Sequence, residues 1–170
     1  MHADVRDTPL YREIEDLVRR TQEPAFGRIT GAMDPDPSPD GRRVAFTGTK
    51  LEALEGVPAG RVCVADVETA TFEVLTAGPN DDRFPRWSPD GSTLAYLSDR
   101  AERGRFQLYL LSSGRLGEAV AAPAVEGTVE YLAWSPDGGS ILLGSAGAGA
   151  ELAAVRTRPS RTRTTSGWRS

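Results

Sequence analysis

The pattern of apolar and polar positions changes once along the chain, from a helical spacing to a strand-like alternation. Near the start, apolar residues recur three or four positions apart, which is typical of a helix with one apolar face. Thr8 is suited to cap this helix, and Pro9 suits its first position. The spacing predicts a helix over residues 9–20, whose apolar face needs a partner surface. The residues of that face are Leu10, Ile14, Leu17 and Val18.

From Arg28 onward, short segments that alternate between apolar and polar residues predict β-strands. Three of these segments follow a Ser-Pro-Asp-Gly string, which starts at Ser38, Ser88 and Ser135. Within the string, Pro pre-sets the turn, Asp bonds to nearby backbone, and Gly takes the left-handed conformation that closes a hairpin. Each string therefore predicts a turn between two strands.

The strands of each repeat follow one plan, which is clearest in the middle repeat. There we expect a first strand over 83–87, a second over 93–97, a third over 106–110 and a weaker fourth over 118–120. The equivalent strands elsewhere are expected over 43–47, 61–65 and 71–75 in the first repeat, and over 140–144 and 151–155 in the third.

The spacing of the three turns indicates the architecture. Ser38, Ser88 and Ser135 lie 50 and then 47 residues apart, a period typical of propeller blades. Four antiparallel strands per repeat form one such blade. A β-sandwich is the alternative, but its turns come every ~8–12 residues without long-range self-similarity. The repeat therefore favours a propeller.

The predicted fold class is all-β: a partial β-propeller of about two and a half four-stranded blades, with one N-terminal α-helix and a disordered C-terminal tail. The expected domains are a helical segment (1–27), the partial propeller (28–155) and a basic tail (156–170). The expected blades cover about 28–77, 78–125 and 126–155.

Composition is typical of a globular protein in water, with 26% charged and 39% hydrophobic residues. No apolar run approaches the ~18 residues of a membrane span. The first twenty residues are rich in acids, unlike a secretory signal, so a cytoplasmic location is expected. The single cysteine, Cys63, excludes an internal disulfide framework.

Charge is distributed unevenly along the chain, whose formal net charge is −4. All 24 acidic residues lie at or before Glu151, and the only charged residues after it are arginines. The acidic body argues against a nucleic-acid-binding face. The tail holds one large apolar residue, Trp168, too few to offset the entropy of ordering. Its abrupt composition favours truncation or a changed reading frame near Arg156 over a tail that binds nucleic acid or membrane.

The segment 81–100 resembles a known repeat. Its Pro85-x-Trp87-Ser-Pro-Asp-Gly91 start and its Ser98-Asp-Arg100 ending are similar to TolB-like, WD-type propeller repeats. More narrowly, they resemble the N-terminal propeller of prolyl-oligopeptidase-type serine peptidases, in the acylaminoacyl-peptidase branch. The resemblance covers roughly residues 28–152.

The resemblance implies a seven- or eight-bladed propeller above an α/β-hydrolase domain, with the propeller restricting entry to small peptides. In that family the hydrolase domain carries a serine nucleophile on a Gly-x-Ser-x-Gly elbow, followed by an Asp and a His. This sequence departs from the family because it lacks the hydrolase domain, so no catalytic residue is carried over. The first repeat departs as well, since Pro37 stands where the family has Trp.

The candidate catalytic residues do not meet the requirements of a serine hydrolase. A nucleophile elbow needs Gly two residues before and after the Ser. Ser145 comes nearest, but Leu143 stands where the first Gly is needed. The only histidine, His2, is a terminal residue, so a Ser-His-Asp triad has no base. We expect no catalytic residue and no enzyme activity in this chain, although the resembled family consists of serine peptidases.

Candidate cofactor and metal sites are also better explained by structure. Zinc lacks ligands. Clustered carboxylates at 80–82 and at Asp34 and Asp36 suit calcium chemistry without the spacing of a calcium loop, so we interpret them as turn residues between blades. The glycine-rich stretch 144–149 lacks the Lys-Ser/Thr ending of a phosphate loop. It is interpreted as a strand-to-strand loop, flexible over 146–150.

Other conspicuous residues have structural interpretations. Cys63 lies between two valines and is expected in the core. Trp87 and Trp134 precede equivalent turns and are expected to pack between blades rather than stack on a ligand. The turn aspartates, Asp40, Asp90 and Asp137, are each accounted for by hairpin geometry.

Two functional hypotheses follow. The first is a non-catalytic propeller fragment of a prolyl-oligopeptidase-like peptidase, acting as a scaffold or substrate gate. Its expected partners are an α/β-hydrolase domain or further blades. The second is a TolB-like scaffold for protein–protein interaction. Under either hypothesis, uncovered blade edges favour self-association and weak stability, while nucleic acid and membrane are not expected partners. The sequence names no substrate or ligand.

Overall fold

A computed structural model describes residues 4–22, 25–51, 57–112, 119–147 and 152–156. Within them the fold is mostly β-strand with one α-helix, as the sequence predicts. The tail predicted to be disordered lies, from residue 157 on, outside the described residues. So does His2, and so do residues 148–150 of the predicted flexible loop.

The N-terminal segment is helical. A 3-10 turn, Val5–Asp7, precedes helix α1, Pro9–Gln22. The Thr8 hydroxyl accepts a hydrogen bond from the Tyr11 N–H (3.3 Å), so Thr8 caps α1 as predicted. The apolar residues of α1 remain exposed. In the described part of the chain, no helix is long and apolar enough to cross a membrane.

The strands in the described ranges form three antiparallel sheets, two of four strands and one of three, each in sequence order. The first blade comprises β1 (Ile29–Pro37), β2 (Arg43–Lys50), β3 (Ala59–Asp66) and β4 (Thr71–Val74). The second comprises β5 (Asp82–Trp87), β6 (Thr93–Ser98), β7 (Gln107–Ser112) and β8 (Val120–Ala121). The third comprises β9 (Thr128–Trp134), β10 (Ser140–Ala146) and β11 (Leu152–Arg156).

The predicted strands are all present, and most extend one to three residues beyond the expected bounds. β10 reaches Ala146, the first residue of the expected loop, and β11 includes Arg156, the first residue assigned to the tail. Ladder hydrogen bonds to a neighbouring strand account for both extensions, since Ala146 pairs with Thr128 and Arg156 with Ser140.

The three Ser-Pro-Asp-Gly turns have one geometry. Their glycines, Gly41, Gly91 and Gly138, have φ of 70°, 69° and 68°, the left-handed region that favours glycine. In each turn the glycine N–H donates to the serine carbonyl at 2.8–2.9 Å. Each serine hydroxyl donates to the aspartate two residues later at 2.5–2.6 Å. The turns are therefore built as the sequence predicts.

Two apolar clusters lie between the blades, and the central strand β6 contributes to both. Leu94 and Tyr96 pack against the first blade, whereas Ala95 and Leu97 pack against the third. Side chains alternate across a strand, so a strand covered on both faces is apolar at every position. This is why β6 reads as a continuous apolar run.

Candidate functional site: the seams between blades

The seam between the first two blades is closed by the acidic residues of β1. The Asp36 carboxylate accepts a hydrogen bond from the Trp87 backbone N–H at 2.7 Å. The Thr47 hydroxyl donates to the Asp34 carboxylate (3.1 Å) and accepts from the Phe84 N–H (3.0 Å). The interpretation of Asp34 and Asp36 as turn residues is therefore corrected: both lie within β1. Each already accepts a hydrogen bond from a protein donor.

The seam between the second and third blades uses a different donor. The indole N–H of Trp134 donates to the Arg86 carbonyl at 3.0 Å, and the Phe84 and Tyr131 rings meet edge to face at 6.0 Å. Trp87 stands at the equivalent position one blade earlier. It is buried in the apolar cluster between the first and second blades, with the Arg43 guanidinium 4.6 Å from its ring. Both tryptophans pack between blades, as predicted.

Two buried polar residues on third strands fasten the connections between blades. Arg61 is 3% exposed and donates to the carbonyls of Gly78 and Asn80. Gln107, at the equivalent position of β7, donates to the Val125 and Gly127 carbonyls and accepts from the Val125 N–H. The sequence interpretation missed this pair. The signal was present, as a polar residue at the same apolar-flanked position in two repeats.

The acidic cluster at 80–82 is also occupied by backbone donors. The Asp81 carboxylate accepts from the Gly60 N–H at 2.6 Å, and the Asp99 carboxylate accepts from the Asp81 and Gly104 N–H groups. The interpretation of Asp82 as a turn residue is corrected, because Asp82 belongs to β5 and is fully buried. Among the described residues, no group of three or more His, Cys, Asp or Glu side chains is arranged to hold a metal ion.

Asp82 forms a buried ion pair within the second blade. Arg100 lies 3.4 Å from one Asp82 carboxylate oxygen, while the other oxygen has no hydrogen-bond partner in the described structure. Arg100 also donates to the Tyr96 hydroxyl (2.6 Å) and to the Ser98 hydroxyl (3.0 Å). Burial raises the pKa of Tyr96 to about 12, so the phenol is neutral near pH 7. The Ser98-Asp99-Arg100 string is thus used for packing.

A cavity of about 610 Å³ opens between the first two blades, near their outer strands. Its walls combine apolar residues, such as Leu94 and Leu111, with the charged residues Arg43 and Asp66. Hydrogen bonds from the backbone and hydroxyl of Thr69 lower the pKa of Asp66, so this carboxylate is ionised near neutral pH. The cavity offers a mixed apolar and charged surface for binding.

The described residues contain no histidine that could serve as the base of a Ser-His-Asp triad. Ser145, the nearest match to an elbow, lies in the extended strand β10 rather than on a sharp turn. Gly144 belongs to the same strand. Hydrogen bonds from the serine hydroxyl of each turn and from the backbone lower the pKa of Asp40, Asp90 and Asp137. These three side chains are therefore ionised near pH 7 and cannot donate a proton.

Cys63 is also unsuited to nucleophilic chemistry. Its side chain is fully buried in β3, as predicted, and burial raises the thiol pKa to about 11. The thiolate is the reactive form of cysteine, so this thiol is inert near neutral pH. The described arrangement supports binding and packing between blades.

No family model matches the chain. Among curated proteins it is 36% identical over 115 residues to "Uncharacterized peptidase YuxL" of Bacillus subtilis, covering 68% of this chain and 17% of that protein. It is 30% identical over 154 residues to "Dipeptidyl-peptidase 5" of Aspergillus fumigatus, covering 78% of this chain and 21% of that protein. The chain therefore spans about a fifth of the length of these relatives.

Solved structures show the same fold. TolB from Acinetobacter baumannii superposes with a TM-score of 0.55 at 25% identity, over 75% of this chain and 30% of that chain. Acylaminoacyl peptidase from Pyrococcus horikoshii superposes with a TM-score of 0.54 at 18% identity, over 67% of this chain and 17% of that chain.

Proposed function

Because the chain is built from β-propeller blades of the prolyl-oligopeptidase and TolB-like type, we propose that it acts as a non-catalytic propeller module of a peptidase. The module positions peptide substrates and limits which of them reach a catalytic domain. The observation that carries this proposal is the 36% identity to a peptidase over 115 residues. The covered part of that relative is only 17% of its length, so catalysis is assigned to other parts of such a protein.

The geometry supports a rigid gating element rather than a reactive one. The Asp36 carboxylate accepts a hydrogen bond across the first seam, the Trp134 indole donates one across the second, and Arg61 fastens the connection between the first two blades. A gate must hold its shape to exclude large substrates, and seams closed by buried hydrogen bonds supply that rigidity. The partners we propose are an α/β-hydrolase domain or further blades.

A hydrolysis assay tests both halves of the proposal. The purified chain is expected to give no inhibitor-sensitive turnover of short fluorogenic peptides. Grafting this chain's matching segment into the Bacillus subtilis relative should give a folded chimera that retains any peptide hydrolysis shown by its unmodified parent. Activity in the chain alone would contradict the non-catalytic module, and a chimera that fails to fold would contradict the shared propeller.

A gating role has its own readout in the same chimera. The ratio of hydrolysis rates for a short peptide and for a peptide of about thirty residues should match that of the unmodified parent. Weakening the first seam with Asp36→Ala should raise the relative rate on the long peptide. An unchanged ratio in a folded variant would point to a scaffold without a gating role.

The second candidate function is a TolB-like interaction scaffold, favoured by the likeness to TolB at 25% identity. In that case the graft would fold while hydrolysis by the chimera disappeared, because the segment would not cooperate with a peptidase domain. The cytoplasmic location expected from the sequence stays a prediction, which cell fractionation would test.

A further inference from the structure

Each terminal blade leaves one face exposed. On the first blade, Phe72 and Val74 of β4 are 50% and 46% exposed. They lie on the face of Phe46, which contacts the Phe72 ring at 5.9 Å between centroids. On the third blade, Leu142 is 43% exposed. Exposed apolar surface of this kind commonly marks an interaction site.

The internal repeat shows what these faces are built to contact. Counted from the serine of each turn, Phe46 is equivalent to Tyr96 and Leu143. In the second and third blades this position packs on the preceding blade. The open face of the first blade is therefore the kind of surface that receives a preceding blade.

The open face of the third blade is the complementary half. Leu142 is equivalent to Ala45 and Ala95, which pack toward the following blade. The chain thus contains one type of interface twice and exposes its two separate halves on the terminal blades.

Charge around the two faces is also complementary. A groove of about 540 Å³ on the open face of the first blade is lined by Phe72 and Val74 and by three cations, Arg28, Lys50 and the buried Arg61; none of its described lining residues is acidic. Residues 126–156, which span the third blade, carry four acidic residues and one basic residue, Arg156. Opposite charge steers association and fixes orientation.

We propose that the third blade of one copy docks on the first blade of a second copy, repeating head to tail the packing already present between blades. The occupant of the basic groove is therefore another copy of this chain. Such a contact uses different surfaces on the two partners, so it closes into a ring or continues as an open chain. The inference is independent of any peptidase function.

The first test measures the size of the species that the full chain forms at increasing concentration, by sedimentation velocity. We expect assembly to increase with concentration and to weaken as salt is raised from about 50 to 500 mM, because screening reduces the attraction between the faces. Phe72→Glu and Leu142→Glu should each weaken association by about tenfold or more. Val120→Glu, on the 67% exposed outer strand of the middle blade, is the matched control and should leave it unchanged.

Mixing the two face variants distinguishes head-to-tail assembly from any symmetric contact. Leu142→Glu keeps an intact first blade, and Phe72→Glu keeps an intact third blade. Their mixture should form a discrete one-to-one complex, although each variant alone stays monomeric. Circular dichroism verifies that both variants are folded, and Arg28→Glu, at an exposed position, provides a second probe of the groove by weakening assembly.

Three results would overturn the proposal. The first is a chain that is monomeric at every concentration. The second is assembly that all three groove and face variants leave intact. The third is a mixture of folded Leu142→Glu and Phe72→Glu chains that does not form a one-to-one complex.

Discussion

The Asp36 carboxylate accepts a hydrogen bond from the Trp87 backbone N–H at 2.7 Å, across 51 residues of sequence and the seam between two blades. The Trp87 side chain is buried, and the hydrogen bond itself is partly shielded from water. An acidic residue that resembles a metal ligand in the sequence therefore closes a seam. The energetic value of this contact is measurable.

Asp36→Ala should lower the free energy of unfolding by about 1–2 kcal/mol, because the Trp87 N–H loses its acceptor in a shielded place. Asp36→Asn keeps an acceptor oxygen and should recover part of the loss. Urea unfolding provides the measurement. Glu73→Ala, at an exposed position of β4, is the control and should change stability by less than about 0.5 kcal/mol. Equal effects of the Ala variants at positions 36 and 73 would contradict the role of Asp36.

Arg61→Ala should cost about 3 kcal/mol, since a buried guanidinium that donates to the carbonyls of Gly78 and Asn80 is removed. Arg61→Gln should cost less, because Gln107 makes the same kind of contact at the equivalent position of the next blade. Thermal unfolding of the two variants gives the comparison. If Gln is no better than Ala at position 61, the equivalence of the two contacts is wrong.

Gly91→Ala should destabilise the chain by about 1 kcal/mol, because its φ of 69° is unfavourable for a residue with a Cβ. Space is not the cause, since a Cβ there would lie 3.5 Å from the Pro39 ring, an ordinary contact. Gly139→Ala is the matched control: this glycine has no left-handed φ, and we expect a smaller effect. Denaturant midpoints at a constant m-value give the difference.

Acid should destabilise the fold through the three turn aspartates. Hydrogen bonds from Ser38, Ser88 and Ser135 lower the carboxylate pKa below the ordinary 3.8 in the folded state. Their stabilising contribution is therefore present above about pH 4 and lost as pH falls through the folded-state pKa. In the triple Ser→Ala variant, the unfolding free energy should fall less steeply between pH 5 and pH 3. Parallel pH profiles would refute this assignment.

Cys63 should resist alkylation in the native state. A thiol pKa raised to about 11 leaves a thiolate fraction at pH 8 about 100-fold below that of an unperturbed cysteine, and burial slows the reaction further. Mass spectrometry after iodoacetamide treatment, with and without urea, measures both states. Rapid modification of the folded chain would show that β3 opens readily.

Local features of the fold follow from the sequence because their causes are local. The Ser-Pro-Asp-Gly strings specify turn geometry within four residues, and the strand pattern around them indicates which elements pair. Contacts between distant residues were harder to predict. Arg61 and Gln107 each meet carbonyls about twenty residues later, and nothing in their immediate neighbours specifies that meeting.

The sequence by itself determined the three turns, the order of the strands and the helix, because each depends on short spacings or on residue type. Only the tertiary structure decided how Asp34, Asp36 and Arg61 are used, and which faces of the first and third blades remain open. Stacking one blade on the next brings together residues about fifty positions apart. Such contacts depend on the distance between sheets, which no local pattern encodes.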